Sequence, residues 1–264
     1  MKQLRFTKMQ ATGNDFVVID KSVVSLPKLA RKLCDRRFGI GADGLLLLEK
    51  SKKSDFRMRI FNPDGSEPEM CGNGLRCIAV FAHKNKIAPA NMSIETKTGI
   101  LNAKVTKDKV KINMAEPQSV KLGLDIGIDG KNYQVHYINT GVPHLVYYVD
   151  DLKNVDVYNL GRKMRYHPLF KPKGANANFI STTGKGALNI RTYERGVETE
   201  TLACGTGAVA SAIISSIIKA IKSPIKVYTR GGLLKIYFRK QNHKFKGVFL
   251  EGEAQVVFEG KIFN

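Results

Sequence analysis

The segment Cys71-Gly72-Asn73-Gly74-Leu75-Arg76-Cys77-Ile78-Ala79-Val80 lines up with Cys204-Gly205-Thr206-Gly207-Ala208-Val209-Ala210-Ser211-Ala212-Ile213. Each copy sets Cys-Gly-x-Gly ahead of an apolar run, and the two lie 133 residues apart in a chain of 264. A motif recurring at half the chain length makes a duplicated unit with one such helix per half the economical architecture. Two similar lobes facing each other are expected. With 43% of residues apolar, the chain has material for a substantial core.

Around these helices the pattern is one of short strands. Phe16 to Asp20, Leu45 to Glu49 and Phe56 to Phe61 read as strands, the last alternating Phe56, Met58 and Ile60 with Arg57 and Arg59. Leu26 to Phe38 is expected to be a helix, with Pro27 in its first turn and Gly39 ending it in a left-handed conformation. Met92 to Thr96, Leu101 to Thr106 and Val110 to Met114 read as a meander turning tightly at Lys107 and Asp108. The second half repeats the style. Its strands are expected at 134–138, 145–149, 178–181, 187–193, 226–229, 233–239, 247–251 and 254–258.

A helix that opens on Cys-Gly-x-Gly presents unpaired backbone N–H groups and the positive end of its dipole to whatever sits there. Such ends bind anions. A cysteine at that point gains thiolate character near neutral pH, and the glycines let the backbone approach a ligand. Three chemistries want two such thiols. Structural zinc is one, although paired Cys-x-x-Cys spacing is missing. A redox dithiol is another, with the same spacing missing. The third is proton transfer at a carbon stereocentre, one sulfur taking a proton from one face while the other delivers a proton to the opposite face.

Composition narrows the class. A disordered chain is excluded by the apolar content. No apolar stretch reaches the length of a membrane span, the longest, Ala208 to Ile218, being broken by three serines. Met1 to Gln10 lacks the apolar core of a signal peptide, so a cytoplasmic protein is expected, with Cys34, Cys71, Cys77 and Cys204 as free thiols. The net charge of +20 raises nucleic acid as a partner, but the lysines are dispersed and little aromatic character is interleaved with them. A solvated basic surface with no nucleic acid and no membrane partner is the reading adopted.

Further segments carry a resemblance to a known family. They are Gly13-Asn14-Asp15-Phe16, Gly39-Ile40-Gly41-Ala42-Asp43-Gly44, Phe61-Asn62-Pro63-Asp64-Gly65-Ser66 and Met70-Cys71-Gly72-Asn73-Gly74. Beyond them come Thr140-Gly141-Val142-Pro143-His144, Asn176-Ala177-Asn178-Phe179, and Glu194-Arg195-Gly196 leading into Glu200-Thr201-Leu202-Ala203-Cys204. In this order, over nearly the whole chain, they resemble diaminopimelate epimerase. The resemblance implies an α/β (α+β) fold of two lobes related by a pseudo-twofold, each a curved mixed β-sheet wrapped around a central helix. It implies an N-terminal lobe of residues 1–116 plus 253–264 carrying Cys71 and a C-terminal lobe of 117–252 carrying Cys204.

The implied activity is interconversion of L,L- and meso-2,6-diaminopimelate, a step of lysine and peptidoglycan precursor synthesis, with Cys71 and Cys204 as the catalytic pair. No pyridoxal phosphate, other cofactor or metal is expected, and a homodimer is implied. By the same resemblance Gly72, Asn73, Gly205 and Thr206 hold the reacting carboxylate through backbone N–H groups, and Asn14, Asn62 and Asn176 contact substrate. Arg195 pairs with the distal carboxylate, Glu194 also binds substrate, and Glu194 and His144 tune the thiol pair. Asp15, Asp43 and Asp64 are expected to brace loops, and Cys34 and Cys77 to sit in the core.

Three departures stand out. The segment before Cys204 is one residue longer than the family's common form, and Val142 and Gly44 stand where some members carry Asn and Gln. The alternatives are a two-thiol racemase for proline or hydroxyproline and, more remotely, a nucleic-acid-binding protein. Against the racemase, Asn73 stands where His is expected in proline racemases. A disulfide between Cys71 and Cys204 would be a redox switch if the empty site brought the two sulfurs within bonding range.

Overall fold

The computed structural model describes residues 3–21, 25–184, 186–242 and 244–263. The chain divides into two compact units, Met1–Asn113 with Glu251–Asn264, and Met114–Leu250. Each is a mixed sheet with two helices, and the two repeat one element order.

In the first unit β1 (Gln3–Ala11) and β2 (Asn14–Ile19) form an antiparallel pair. Helix α1 (Leu26–Cys34) then carries the chain to β3 (Gly44–Glu49), parallel to β2, and β3 turns back into antiparallel β4 (Phe56–Phe61). Helix α2 (Gly72–Lys84) crosses to β5 (Asn91–Thr96), parallel to β4, and β6 (Gly99–Thr106) and β7 (Lys109–Asn113) follow as an antiparallel meander. Lys107 turns this last hairpin at a φ of 60°.

The second unit opens with β8 (Gln118–Ile128) antiparallel to β9 (Lys131–Asn139), which pairs with β10 (Pro143–Tyr148). Helix α3 (Val157–Arg165) leads to β11 (Asn176–Thr182), parallel to β10, and β12 (Leu188–Glu194) runs antiparallel to β11. After a short β13 (Thr199–Thr201), helix α4 (Gly205–Ile218) crosses to β14 (Ile225–Thr229), which is parallel to β12 and antiparallel to β15 (Gly232–Gln241). Strand β16 (Lys244–Glu253) follows, and β17 (Gln255–Phe263) returns to pair with β1 in the first unit.

The duplication in the sequence is therefore a duplication of topology: antiparallel pair, parallel crossover on a helix, antiparallel return, and a second parallel crossover on the helix that starts with Cys-Gly-x-Gly. A helix that is largely apolar all round can be buried on all sides. Helix α2 is buried continuously from Asn73 to Ala82 and α4 from Gly207 to Ser215. Each has strands of its own unit around it: α2 packs on β1 to β4, β6, β7 and β17, and α4 on β9 to β12, β14 and β15. A curved sheet wrapped on a central helix is the arrangement in both units.

Three local details depart from expectation. Helix α1 stops at Cys34 rather than Phe38, because the Asp35 carboxylate accepts the N–H groups of Arg37 and Phe38, both at 2.7 Å, in place of helical carbonyls. Gly39 does not hold the left-handed conformation, which falls to Gly41 at φ 77°. Gly39 serves close approach, since a Cβ there would overlap the carbonyl oxygens of Lys32, Leu33 and Asp35. Helix α3, absent from the sequence reading, buries Val157, Gly161 and Met164 against the unit. The central member of that stripe has no side chain, so the apolar period is hidden. A Cβ at Gly161 would lie 2.5 Å from Tyr193 Cβ and 3.0 Å from its Cγ. Gly161→Ala is therefore expected to lower stability by about 1–3 kcal/mol, the overpacking outweighing the better helix propensity of Ala. Urea unfolding midpoints of the two proteins measure it.

Candidate active site

Both helix starts are built alike. Cys71 is the N-cap of α2, in extended conformation, and its carbonyl accepts the first helical bond from Leu75 N–H at 2.8 Å. Cys204 is the N-cap of α4, equally extended, with Ala208 N–H on its carbonyl at 2.9 Å. The N–H groups of Gly72 and Asn73, and of Gly205 and Thr206, stand in the first turn and have no intrahelical acceptor by the geometry of a helix. Each start combines a thiol with an anion-binding backbone. Among the described residues none of the four cysteines is joined in a disulfide.

In the first unit the sulfur lies in a chain of amides. Cys71 Sγ–H donates to Asn14 Oδ1 at 3.8 Å, and Asn73 Nδ2 donates to the same oxygen at 3.2 Å. The other end of Asn14 donates to Asp43 Oδ2 at 2.7 Å. Bound on one side by a donor and on the other by a carboxylate, the Asn14 amide can present only its oxygen to Cys71. Asp43 in turn binds Arg36, which also grips Asp15 through both carboxylate oxygens, and Asp15 pairs with Lys8. Hydrogen bonds from Arg36 and Lys8 overcome the burial of Asp15 and hold its carboxyl far below the usual carboxylate range. Asp15 and Asp43 thus hold the loop that places Asn14. Asp64 accepts Ser66 N–H at 2.8 Å and braces its own turn.

Asn62 belongs to that same turn. Its side chain donates to Ser66 Oγ at 2.9 Å and its backbone N–H to Ser66 O at 2.8 Å, and among the described residues no hydrogen bond joins it to Asn14 or Asn73. Cys34 and Cys77 are buried, as expected of core thiols. Burial pushes the Cys34 thiol up to about 11 and the Cys77 thiol higher, so both stay protonated.

In the second unit the partner of the sulfur is a carboxylate. Glu194, at the end of β12, hydrogen bonds to Cys204 and accepts Thr201 Oγ1–H at 2.9 Å. Burial raises the Glu194 carboxyl above its ordinary value, and those two hydrogen bonds only partly oppose it. Thr206 Oγ1 lies 3.5 Å from Cys204 Sγ, and Thr140 Oγ1 donates to the Thr206 carbonyl at 3.0 Å. Asn176 is almost wholly engaged by the backbone: its Oδ1 accepts Arg195 N–H at 2.7 Å and its Nδ2 donates to the Pro143 carbonyl at 3.2 Å. It fixes the turn from which Arg195 projects, and the Arg195 guanidinium makes a long bond, 3.5 Å, to Lys173 O.

His144 is fully buried on β10. Its Nδ1 accepts Asn178 Nδ2 at 3.1 Å, which places the ring proton on Nε2, 3.5 Å from Asn176 Nδ2. Burial, with a smaller contribution from the Arg195 charge, depresses this imidazole to about 3. The ring is neutral through the whole working range and acts there as a fixed dipole. Asn178, to which the sequence reading gave no role, ties His144 to Thr192 and Leu145, and its Oδ1 occupies the space a side chain at Gly207 would need. Arg76, likewise unassigned, is buried in α2 beneath the helix start. A charged residue inside the apolar run Leu75 to Phe81 was its only signal.

Among the described residues no group of three or more His, Cys, Asp or Glu side chains is placed to hold a metal ion, and no helix is long and apolar enough to cross a membrane.

Comparison with known proteins adds independent findings. A family model described as diaminopimelate epimerase matches residues 6–120 and 136–257. Diaminopimelate epimerase of Methanocella arvoryzae is 43% identical over 279 aligned residues, covering 99% of this chain and 98% of the relative. The Aquifex aeolicus protein of the same name is 42% identical, covering 98% of each. Among solved structures, a phenazine biosynthesis protein of the PhzF family from Bacillus anthracis superposes with a TM-score of 0.78 at 18% identity, covering all of both chains. A probable proline racemase from Agrobacterium radiobacter gives 0.73 at 14% identity, covering 98% of this chain and 93% of that one. These last two are likenesses of fold alone.

Proposed function

The chain belongs to the diaminopimelate epimerase family, and from that premise we propose that Cys71 and Cys204 are the acid/base pair that inverts one α-carbon of 2,6-diaminopimelate. Inversion needs a base on one face of the carbon and an acid on the other. One sulfur, as thiolate, takes the α-hydrogen as a proton. The C–H electron pair moves into the adjoining carboxylate, which gains enediolate character. The other sulfur, as thiol, gives its proton to the opposite face, and the electron pair returns to form the new C–H bond. The protein then holds one thiol and one thiolate as before, with their places exchanged.

The reading is carried by one observation: each duplicated unit sets a cysteine as N-cap of a buried helix whose first N–H groups point outward from its start. Gly72, Asn73, Gly205 and Thr206 would hold the reacting carboxylate and stabilise it as negative charge develops. Asn14, Asn62, Asn176, Glu194 and Arg195 would recognise the polar groups of substrate, the planar guanidinium of Arg195 suiting a distal carboxylate. His144, as a neutral ring, and Glu194, through its hydrogen bond to Cys204, would bias the second thiol. A homodimer working in the cytoplasm, with the +20 charge as solvated surface rather than a nucleic-acid footprint, completes the proposal.

Turnover in heavy water tests it. Starting from L,L-diaminopimelate, the meso product is expected to carry solvent deuterium at the inverted carbon from the first turnovers, while unconverted substrate stays protiated. Product that keeps its original hydrogen would sink the two-thiol mechanism. Proline and glutamate run beside it should not turn over, and faster inversion of proline than of diaminopimelate would favour the related racemase.

A further inference from the structure

The guanidinium of Arg76 is wholly buried within α2, at 0% exposure. Its Nη2 donates to Asn73 Oδ1 at 2.9 Å and to Thr12 Oγ1 at 3.0 Å, its Nη1 reaches Gly72 O at 3.4 Å, and among the described residues its Nε has no hydrogen-bond partner. Every acceptor is neutral. A buried cation ordinarily has a carboxylate beside it, because removing a charge from water costs heavily unless an opposite charge is near.

The charged groups on the elements around α2 are engaged elsewhere or stand apart. Lys8 of β1 pairs with Asp15 of β2, and Arg59 of β4 with Glu67. Lys104 of β6 and Glu259 and Lys261 of β17 are exposed, and Lys111 of β7 is half-buried. Arg36 is held by Asp15 and Asp43. Among the described residues none of these forms an ion pair with Arg76. Two groups on α2 itself and at its start feel the guanidinium charge: the thiols of Cys77 and Cys71. Cys77 is driven to the neutral form by burial. Burial lowers Arg76 to about 10, so it remains a cation near neutral pH.

The guanidinium also governs a chain of amides. By donating to Asn73 Oδ1 it turns Asn73 Nδ2 toward Asn14 Oδ1, the oxygen that accepts the Cys71 S–H. We propose that Arg76 is a positioning residue for Cys71: it locks the Asn73–Asn14 amides that hold the thiol and supplies the buried positive charge that balances the thiolate. The Asn14 oxygen favours the protonated sulfur and Arg76 the ionised one, so the two together poise Cys71 between its states. This rests on the reading of Cys71 as an acid/base residue. At the second helix Val209 occupies the position that matches Arg76, and the sulfur hydrogen bonds with Glu194.

The test is the pH profile of iodoacetamide alkylation of the full-length protein, with Cys71 and Cys204 resolved by peptide mass spectrometry. Arg76→Gln, which removes the charge and keeps polar ends for Asn73 and Thr12, is expected to move the Cys71 midpoint up by about one pH unit or more. Arg76→Lys, which keeps the charge, should leave it near the wild-type value, and Cys204 should not move in either. Asn73→Asp, which gives the cation a permanent carboxylate, should also move Cys71 upward without altering Arg76, so the proposal stays testable if the Gln variant does not fold. An unmoved Cys71 profile in Arg76→Gln or Asn73→Asp, equal shifts in the Gln and Lys variants, or a parallel shift of Cys204 would overturn it. The alkylation readout stands without catalysis. Failure of the acid/base reading would be seen separately, as turnover surviving in a Cys71 variant.

Discussion

Cys71→Ala and Cys204→Ala are each expected to cut epimerisation of L,L-diaminopimelate by about 10²–10⁴-fold, the range that a single positioned proton-transfer group contributes. The losses should be similar for the two, because the proposed inversion draws on both sulfurs in every turnover and neither can serve both faces. Serine separates chemistry from folding. Cys204 makes no side-chain cap bond within α4, and serine is among the strongest N-caps, so Cys204→Ser is expected to fold at least as stably as the parent while losing turnover. Cys71 already accepts Gly74 N–H at 3.5 Å, a bond its alanine variant forfeits and its serine variant regains. Chiral analysis of product set beside urea unfolding midpoints checks both halves. Turnover within tenfold of the parent in either alanine variant would refute the assignment, as would a loss that tracks unfolding.

The residues proposed for this chemistry were legible in unequal measure. Cys71 and Cys204 could be read from local pattern because a helix start is a local event: Gly72 and Gly205 begin helices α2 and α4, where the Cys-Gly-x-Gly copies place them. Strand β4 was legible for the same reason, its alternation matching the pleat from Phe56 to Ile60. What each sulfur touches was not. Asn14 lies 57 positions from Cys71, and no period connects them, so only the family resemblance brought Asn14 forward. The end of α1 was misplaced because one carboxylate, Asp35, diverted two N–H groups that apolar spacing assigned to the helix. Helix α3 escaped notice because its contact residue is a glycine packed against Tyr193. Arg76 is the inverse case. Its burial contradicts its chemistry, and a contradiction of that kind becomes a function only when its neighbours Asn73, Asn14 and Cys71 are known.

Acidification is expected to unfold the protein earlier than its carboxylates alone would dictate, and His144 is the reason. In the folded chain this imidazole binds its proton only near pH 3, whereas an unfolded histidine does so near 6.5. Between those values the unfolded chain holds a proton that the native state refuses. The stability that His144 contributes is therefore complete above pH 6.5 and is lost as pH falls from 6.5 toward 3, at about 1.4 kcal/mol per pH unit. Over the whole window the loss is on the order of 4–5 kcal/mol, comparable with the total stability of many domains. Asp15 acts in the same direction but only at lower pH, since its carboxyl is depressed from an already acidic value. Glu194, raised by burial, acts in the opposite direction. His144→Asn isolates the imidazole. Asparagine offers an oxygen near the place of Nδ1 for Asn178 and cannot titrate, so it costs a fixed amount of packing at every pH. Unfolding free energies from urea titrations between pH 4.5 and 7 should fall steeply in the parent and by about 1.4 kcal/mol per unit less steeply in the variant. Parallel lines would mean that His144 takes up its proton like an exposed histidine. Because the ring is neutral at the pH where thiols exchange protons, it orients Asn178 through Nδ1 but cannot itself be the group whose titration limits turnover on the acid side.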